Sequence, residues 1–222
     1  MSGKSTTTTI VGFFCGRLES STNVKRTNLN RIGIVRAILG ILVLYAVQAV
    51  ATAAGASPGV GDPAPDFTLQ TLDEQTVRLS KLTAKSKATA LVVLRGWPGY
   101  QCPICDRQVS EFIGSARALA QAGVQLLFVY PGPAAELKAH AEEFKSWKGR
   151  EWPENFLLAL DPDYTMVNAY GLRWDAPKET AYPSTFVLDS KSVVRFSKVS
   201  AGHGDRSKAA EVLAEAKKIS GK

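Results

Sequence analysis

Cys102 and Cys105 stand three positions apart in RGWPGYQCPICDRQ (residues 95–108), in a chain with one other cysteine, Cys15. Thiols at this spacing can form a structural disulfide, hold a metal, or cycle between dithiol and disulfide. A staple across two residues removes little chain entropy and so stabilises little. A structural metal site needs four ligands. No second C-x-x-C exists, and the only histidines are His140, in a polar helical stretch, and His203, in the turn AGHGD. A copper-binding module built on Cys102, Cys105 and His203 is the non-enzymatic alternative, because thiolates and imidazole suit copper. The redox cycle fits the local pattern better. The pair lies where an apolar run gives way to helical spacing, and unpaired N–H groups and the helix dipole there favour a thiolate. Pro103 suits the first helical turn, where its missing N–H is not needed. Both sulfurs then fall on one side of that turn, so a small disulfide ring can open and close with little backbone movement.

Positioning this turn requires a rigid frame. Thr89–Leu94 (TALVVL) reads as a central strand buried on both faces. Val109, Phe112, Ile113, Ala116, Leu119 and Ala120 predict one helix after the cysteines, ended by Gly123. Val124–Tyr130 is a second buried strand. Short alternating segments at Phe67–Leu69 and Thr76–Leu79 suggest a hairpin. Ala134–Trp147 predicts an amphipathic helix, Phe156–Leu160 a short strand or extended stretch, and Tyr164–Tyr170 a short helix. Thr185–Leu188 and Val193–Val199 predict strands around Asp189–Ser192, and Arg206–Ile219 a last helix. This order implies an α/β domain, a central mixed sheet flanked by helices, over residues 57–222.

The formal charge of +7 is concentrated at the N-terminus. Residues 1–36 carry six cations against Glu19, a net +5, which leaves +2 for the remainder. No basic face with interleaved aromatics is present, so nucleic acid is not an expected partner. Residues 1–31 read as a disordered basic leader, and a start near Val24 would leave a conventional basic one. Residues 32–56 read as a signal peptide or signal-anchor, in which the uncharged run 37–54 engages the membrane and is followed by A-x-A-like cleavage sites. The domain is then exported to the periplasm or cell envelope, soluble after cleavage or anchored by residues 37–54. Cys15 falls outside the folded domain.

The domain resembles the thioredoxin-like superfamily, and within it the peroxiredoxin branch, the alkyl hydroperoxide reductase and thiol-specific antioxidant (AhpC/TSA) group. The similarity runs from about Val60 to Ile219. VGDPAPDFTL (60–69), the strand before the cysteines, LDPDYTMVNAYGL (160–172) and YPSTFVLD (182–189) fall in family order. The family's Pro-x-x-x-Thr-x-x-Cys motif is matched at Pro98 and Cys105, with Cys102 in place of the threonine. This correspondence implies that Cys105 attacks peroxide and Cys102 resolves, whereas the thioredoxin correspondence gives the attack to Cys102; both stay open. The family also places an arginine just before the F-V-L-D-type strand. Here Pro183 occupies that loop and is similar to the cis-proline that thioredoxins set opposite their cysteines. Arg95, Arg107, Arg173 and Arg206 are candidate substitutes, Arg95 first because it ends the strand feeding the turn. Trp97 and Tyr100 are expected to wall the site.

The resemblance implies a thiol oxidoreductase that reduces peroxides through Cys102 and Cys105 and is reset by an external dithiol such as a thioredoxin-like protein. The alternative is an envelope thiol–disulfide exchanger acting on disulfide-bearing proteins without a peroxide step. No cofactor is implied, and no Gly-rich phosphate loop is found.

Overall fold

The computed structural model describes residues 55–221; the leader (1–31) and the membrane-engaging run (37–54) expected from the sequence lie outside them. Among the described residues, no helix is long and apolar enough to cross a membrane.

A hairpin of β1 (Thr68–Thr71) and β2 (Thr76–Arg78) opens the domain, with Leu69 opposite Val77. Leu79 does not continue the second arm. It starts a short helix, α1 (Leu79–Thr83), and its N–H reaches back to the Phe67 carbonyl at 3.0 Å. There follow β3 (Ala88–Val93), α2 (Pro103–Gly114), α3 (Ala116–Gln121), β4 (Val124–Gly132), α4 (Leu137–Ser146), β5 (Phe156–Pro162), α5 (Thr165–Ala169), β6 (Ser184–Asp189), β7 (Val194–Val199) and α6 (Ala209–Ser220). The strands form one sheet in the order β2-β1-β5-β4-β3-β6-β7. β3, β4 and β5 run parallel, and the remaining pairings are antiparallel, so the sheet is mixed as expected.

Strand alternation divides the core into two layers. Ala90, Val92, Leu126, Phe128 and Val187 face the layer completed by α2, α3, α4 and α6. Leu91, Val93, Leu127, Val129 and Phe186 face the layer completed by α1 and α5. β3 is buried at all six positions, which is why it reads as a continuous apolar run.

Three elements differ from the sequence expectation. The single helix after the cysteines is two, because Gly114 and Ser115 are poor helix formers and Ser115 leaves the helical region with φ −103° and ψ 2°. The restart lets Leu119 pack fully buried in the core. The short strand or extended stretch expected at Phe156–Leu160 is a strand that runs on to Pro162, held between β1 and β4. The last helix begins at Ala209 rather than Arg206, after an extended Lys208 (φ −94°, ψ 154°), so Arg206 sits in the loop before it.

Candidate active site

β3 delivers the chain to the reactive turn. Beyond Val93, the Leu94 N–H still bonds the Val129 carbonyl (2.9 Å), and the Trp97 N–H bonds that of Pro131 (3.0 Å). Gly96 between them has φ +69°, and a Cβ there would lie 1.9 Å from the Pro131 carbonyl oxygen. Only glycine lets the chain leave the sheet along this path. The turn then passes half-buried Pro98 and exposed Gly99 to Cys102, the N-cap residue of α2, with Pro103 at its first helical position. The Cys102 sulfur accepts the Cys105 N–H at 3.4 Å, as an N-cap serine oxygen would.

Both cysteines are unbonded thiols, 3% and 1% exposed. One guanidinium spans them. Arg206 Nη1 lies 3.4 Å from Cys105 Sγ and Nη2 3.9 Å from Cys102 Sγ. Nη1 also donates to Gln108 Oε1 (3.0 Å), and Nε donates to the His203 carbonyl (2.8 Å). Hydrogen bonding from the Cys105 thiol holds the Cys102 pKa down to about 5 against the opposing effect of burial, helped by the Cys105 N–H and the Arg206 charge. Complete burial, together with the neighbouring Cys102, pushes the Cys105 thiol well above its ordinary range. The guanidinium is nearer to Cys105, yet desolvation of that sulfur outweighs it. These directions favour negative charge on Cys102 over Cys105, and the two titrate as a pair. The Arg95 backbone N–H also favours negative charge at Cys105.

Arg95, the first candidate for the missing arginine, spends its guanidinium elsewhere. Nε donates to Glu179 Oε2 (2.6 Å), Nη1 to the Tyr100 hydroxyl (2.5 Å), and Nη2 to the Lys178 carbonyl. Arg173 caps the carbonyls of Trp174 and Thr180, and Arg107 is exposed. Of the four arginines, Arg206 is the one on the sulfurs. Tyr100 is 43% exposed and lies against the Arg95 guanidinium, 5.0 Å from ring centre to charge. Trp97 stacks on His140 (3.5 Å, 12°), which ties the turn to α4. Pro183 is buried directly before β6, and its carbonyl accepts the Ser200 N–H at 2.9 Å.

His203 Nε2 faces Glu179 Oε1 at 3.0 Å. With that nitrogen committed to a carboxylate and a cation already beside both sulfurs, the arrangement disfavours the copper reading. Among the described residues no cluster of three His, Cys, Asp or Glu side chains could hold a metal ion. Sequence reasoning missed Gln108, which orients Arg206, and Glu179, which joins Arg95 to His203. It also missed Tyr130, whose hydroxyl donates to Gln101 Oε1 (2.9 Å) beside the cysteines. Lone polar residues 3 to 74 positions beyond Cys105 carry no local signal.

The sequence model of the AhpC/TSA family matches residues 60–197. Among curated proteins, chloroplastic peroxiredoxin Q of Triticum aestivum is 29% identical over 136 residues, 61% of this chain and 57% of the relative. Its Oryza sativa subsp. japonica counterpart is 28% identical over the same shares. The chain thus spans a little over half the length of these relatives. Among solved structures, peroxidoxin BcpB from Mycobacterium tuberculosis superposes with a TM-score of 0.56 at 21% identity, covering 73% of this chain and 98% of that one. A peroxiredoxin-like protein from Aquifex aeolicus gives 0.57 at 20% identity, covering 75% and 90%. The thioredoxin-like peroxiredoxin architecture is therefore shared.

Proposed function

The chain belongs to the AhpC/TSA family, and we propose that it is a thiol peroxidase working through Cys102 and Cys105. The observation that carries this reading is the Arg206 guanidinium within reach of both sulfurs at the N-terminus of α2. A positive, fivefold donor there stabilises a thiolate and the negative charge that develops on a peroxide oxygen as the O–O bond breaks.

The thiolate attacks one peroxide oxygen; an S–O bond forms, the O–O bond breaks, and the departing alkoxide takes a proton to leave as alcohol or water. The sulfenic acid condenses with the second thiol, losing water and forming the Cys102–Cys105 disulfide. An external dithiol reduces it by two exchange steps and is itself oxidised. The resting charge distribution supports attack by Cys102 with Cys105 as the resolving thiol. The family motif assigns them in reverse.

Stopped-flow peroxide reduction by Cys102→Ser and Cys105→Ser tests this. Cys105→Ser is expected to keep the first burst and to accumulate a protein one oxygen heavier, while Cys102→Ser loses it. A burst kept by Cys102→Ser alone reverses the two roles. A wild-type protein inert to peroxide overturns the peroxidase. A second reading, exchange with protein disulfides, is favoured by the acidic first cysteine of a C-x-x-C turn, and insulin reduction without peroxide consumption would select it. Export to the cell envelope rests on residues 37–54 and extends the proposal to an oxidising compartment.

A further inference from the structure

We propose that Glu179 is a positioning residue for the thiol pair, one carboxylate that ties the segment leading into the cysteine turn to the loop carrying Arg206. Glu179 lies in the connection between α5 and β6, in a hairpin-like loop closed by the Arg173–Ala181 bridge and by the Trp174 N–H on the Thr180 carbonyl (3.1 Å). Oε2 accepts from Arg95 at 2.6 Å and Oε1 faces His203 Nε2 at 3.0 Å. The ion pair with Arg95 is secluded, with side chains 11% and 3% exposed. Breaking one partner of such a pair leaves a buried charge uncompensated.

Each arm continues to the sulfurs. Arg95 holds Tyr100 in the turn, and its own N–H favours negative charge at Cys105. The His203 carbonyl accepts Arg206 Nε at 2.8 Å, and Arg206 reaches Cys105 and Cys102. The titratable groups facing Glu179 are Arg95 and His203, with Trp174 packed on the imidazole at 5.0 Å. Those facing the thiols are Arg206 and, on β4, the hydroxyl of Tyr130.

Glu179's own charge and its positioning act in opposite directions. A carboxylate disfavours a nearby thiolate, so its direct field, once removed, would make the pair more acidic. Releasing Arg206 would make it less acidic. The sign of one measurement therefore separates the two.

The experiment follows thiolate formation in the reduced full-length protein by ultraviolet absorbance and by the pH dependence of iodoacetamide alkylation, with circular dichroism as a check on folding. Glu179→Gln is expected to raise the lower midpoint by about one pH unit, and to slow alkylation about tenfold on the acid side of it. His203→Ala should shift it the same way by less, and His203→Gln, which keeps a donor toward Glu179, should restore the wild-type midpoint. An unchanged or lowered midpoint in Glu179→Gln overturns the proposal, as does His203→Gln shifting as far as His203→Ala. If Glu179→Gln does not fold, an unshifted His203→Ala overturns it. The inference rests on the thiol-redox reading for its purpose, but the titration needs no peroxide. A failed peroxidase assay and a failed positioning role are thus distinguished.

Discussion

Arg206 brings a guanidinium to both sulfurs from a part of the chain remote from the cysteine motif. The threonine and the pre-strand arginine of the resembled motif are absent, and their places hold Cys102 and Pro183. The cation comes instead from the loop before α6, anchored by Gln108 and the His203 carbonyl. Arg206→Met keeps much of the volume and removes the charge. Losing a cation beside a thiolate raises the thiol pKa, so the midpoint near 5 at Cys102 moves up, and alkylation on the acid limb slows. Peroxide reduction at neutral pH should fall about 100-fold, the usual cost of losing one charge-stabilising donor in the transition state. Stopped-flow rates across pH would show it, and a variant with wild-type rates and midpoint would remove Arg206 from the chemistry. The cysteine pair was legible because its signal is local: two thiols, a proline and a helix start within a few residues. Arg206 was one of four arginines that the sequence could offer but not choose between, since the choice depends on a fold that brings position 206 to position 105.

The elements around the turn were legible where hydrophobic period is strong and blurred where it is short. β3 and β4 read correctly because every position but Gln125 is buried, and α6 because its apolar face repeats at helical spacing. The break at Ser115 was hidden because the apolar period runs through it, whereas backbone propensity decides there. Phe156–Leu160 was read as a short strand or extended stretch, and its last two residues were missed because Asp161 and Pro162 pair with Pro131 and Gly132 only in the folded sheet. The junction between β3 and α2 makes the strictest demand. Gly96→Ala sets a Cβ against the Pro131 carbonyl oxygen at a positive φ, and backbone cannot yield as a side-chain tip does. The variant should lose at least about 2 kcal/mol of stability by urea unfolding. Its remaining folded fraction should alkylate more slowly, because the Arg95 N–H and the α2 N-terminus are displaced together. Unchanged stability would show that the strand and the turn are joined less rigidly than these contacts require.

At the level of the domain, two apolar layers on one sheet are closed at the β7 edge by the segment that precedes β1. The Gly61 N–H donates to the Val194 carbonyl and the Val194 N–H to the Asp62 carbonyl, both at 2.9 Å. Pro63 bridges Val193, and Ser197 Oγ donates to the Pro58 carbonyl at 3.1 Å. Gly171, at φ +61°, leaves room for the Gly55 carbonyl, which a Cβ there would approach to 1.9 Å. The Pro- and Gly-rich composition of SPGVGDPAP (57–65) suits a linker, yet its backbone forms a strap on an otherwise unpaired strand edge. Its prolines and glycines suit that role, since Pro63 can cover an edge without offering a new donor row. A protein beginning at Gly55 keeps every contact described above and serves as the reference. One beginning at Asp66 loses the strap, exposes the Val194 N–H and carbonyl, and should both melt several degrees lower and self-associate through β7. Scanning calorimetry with light scattering on the two truncations measures this. Equal melting temperatures and no association for the shorter form would return residues 55–65 to the status of a linker.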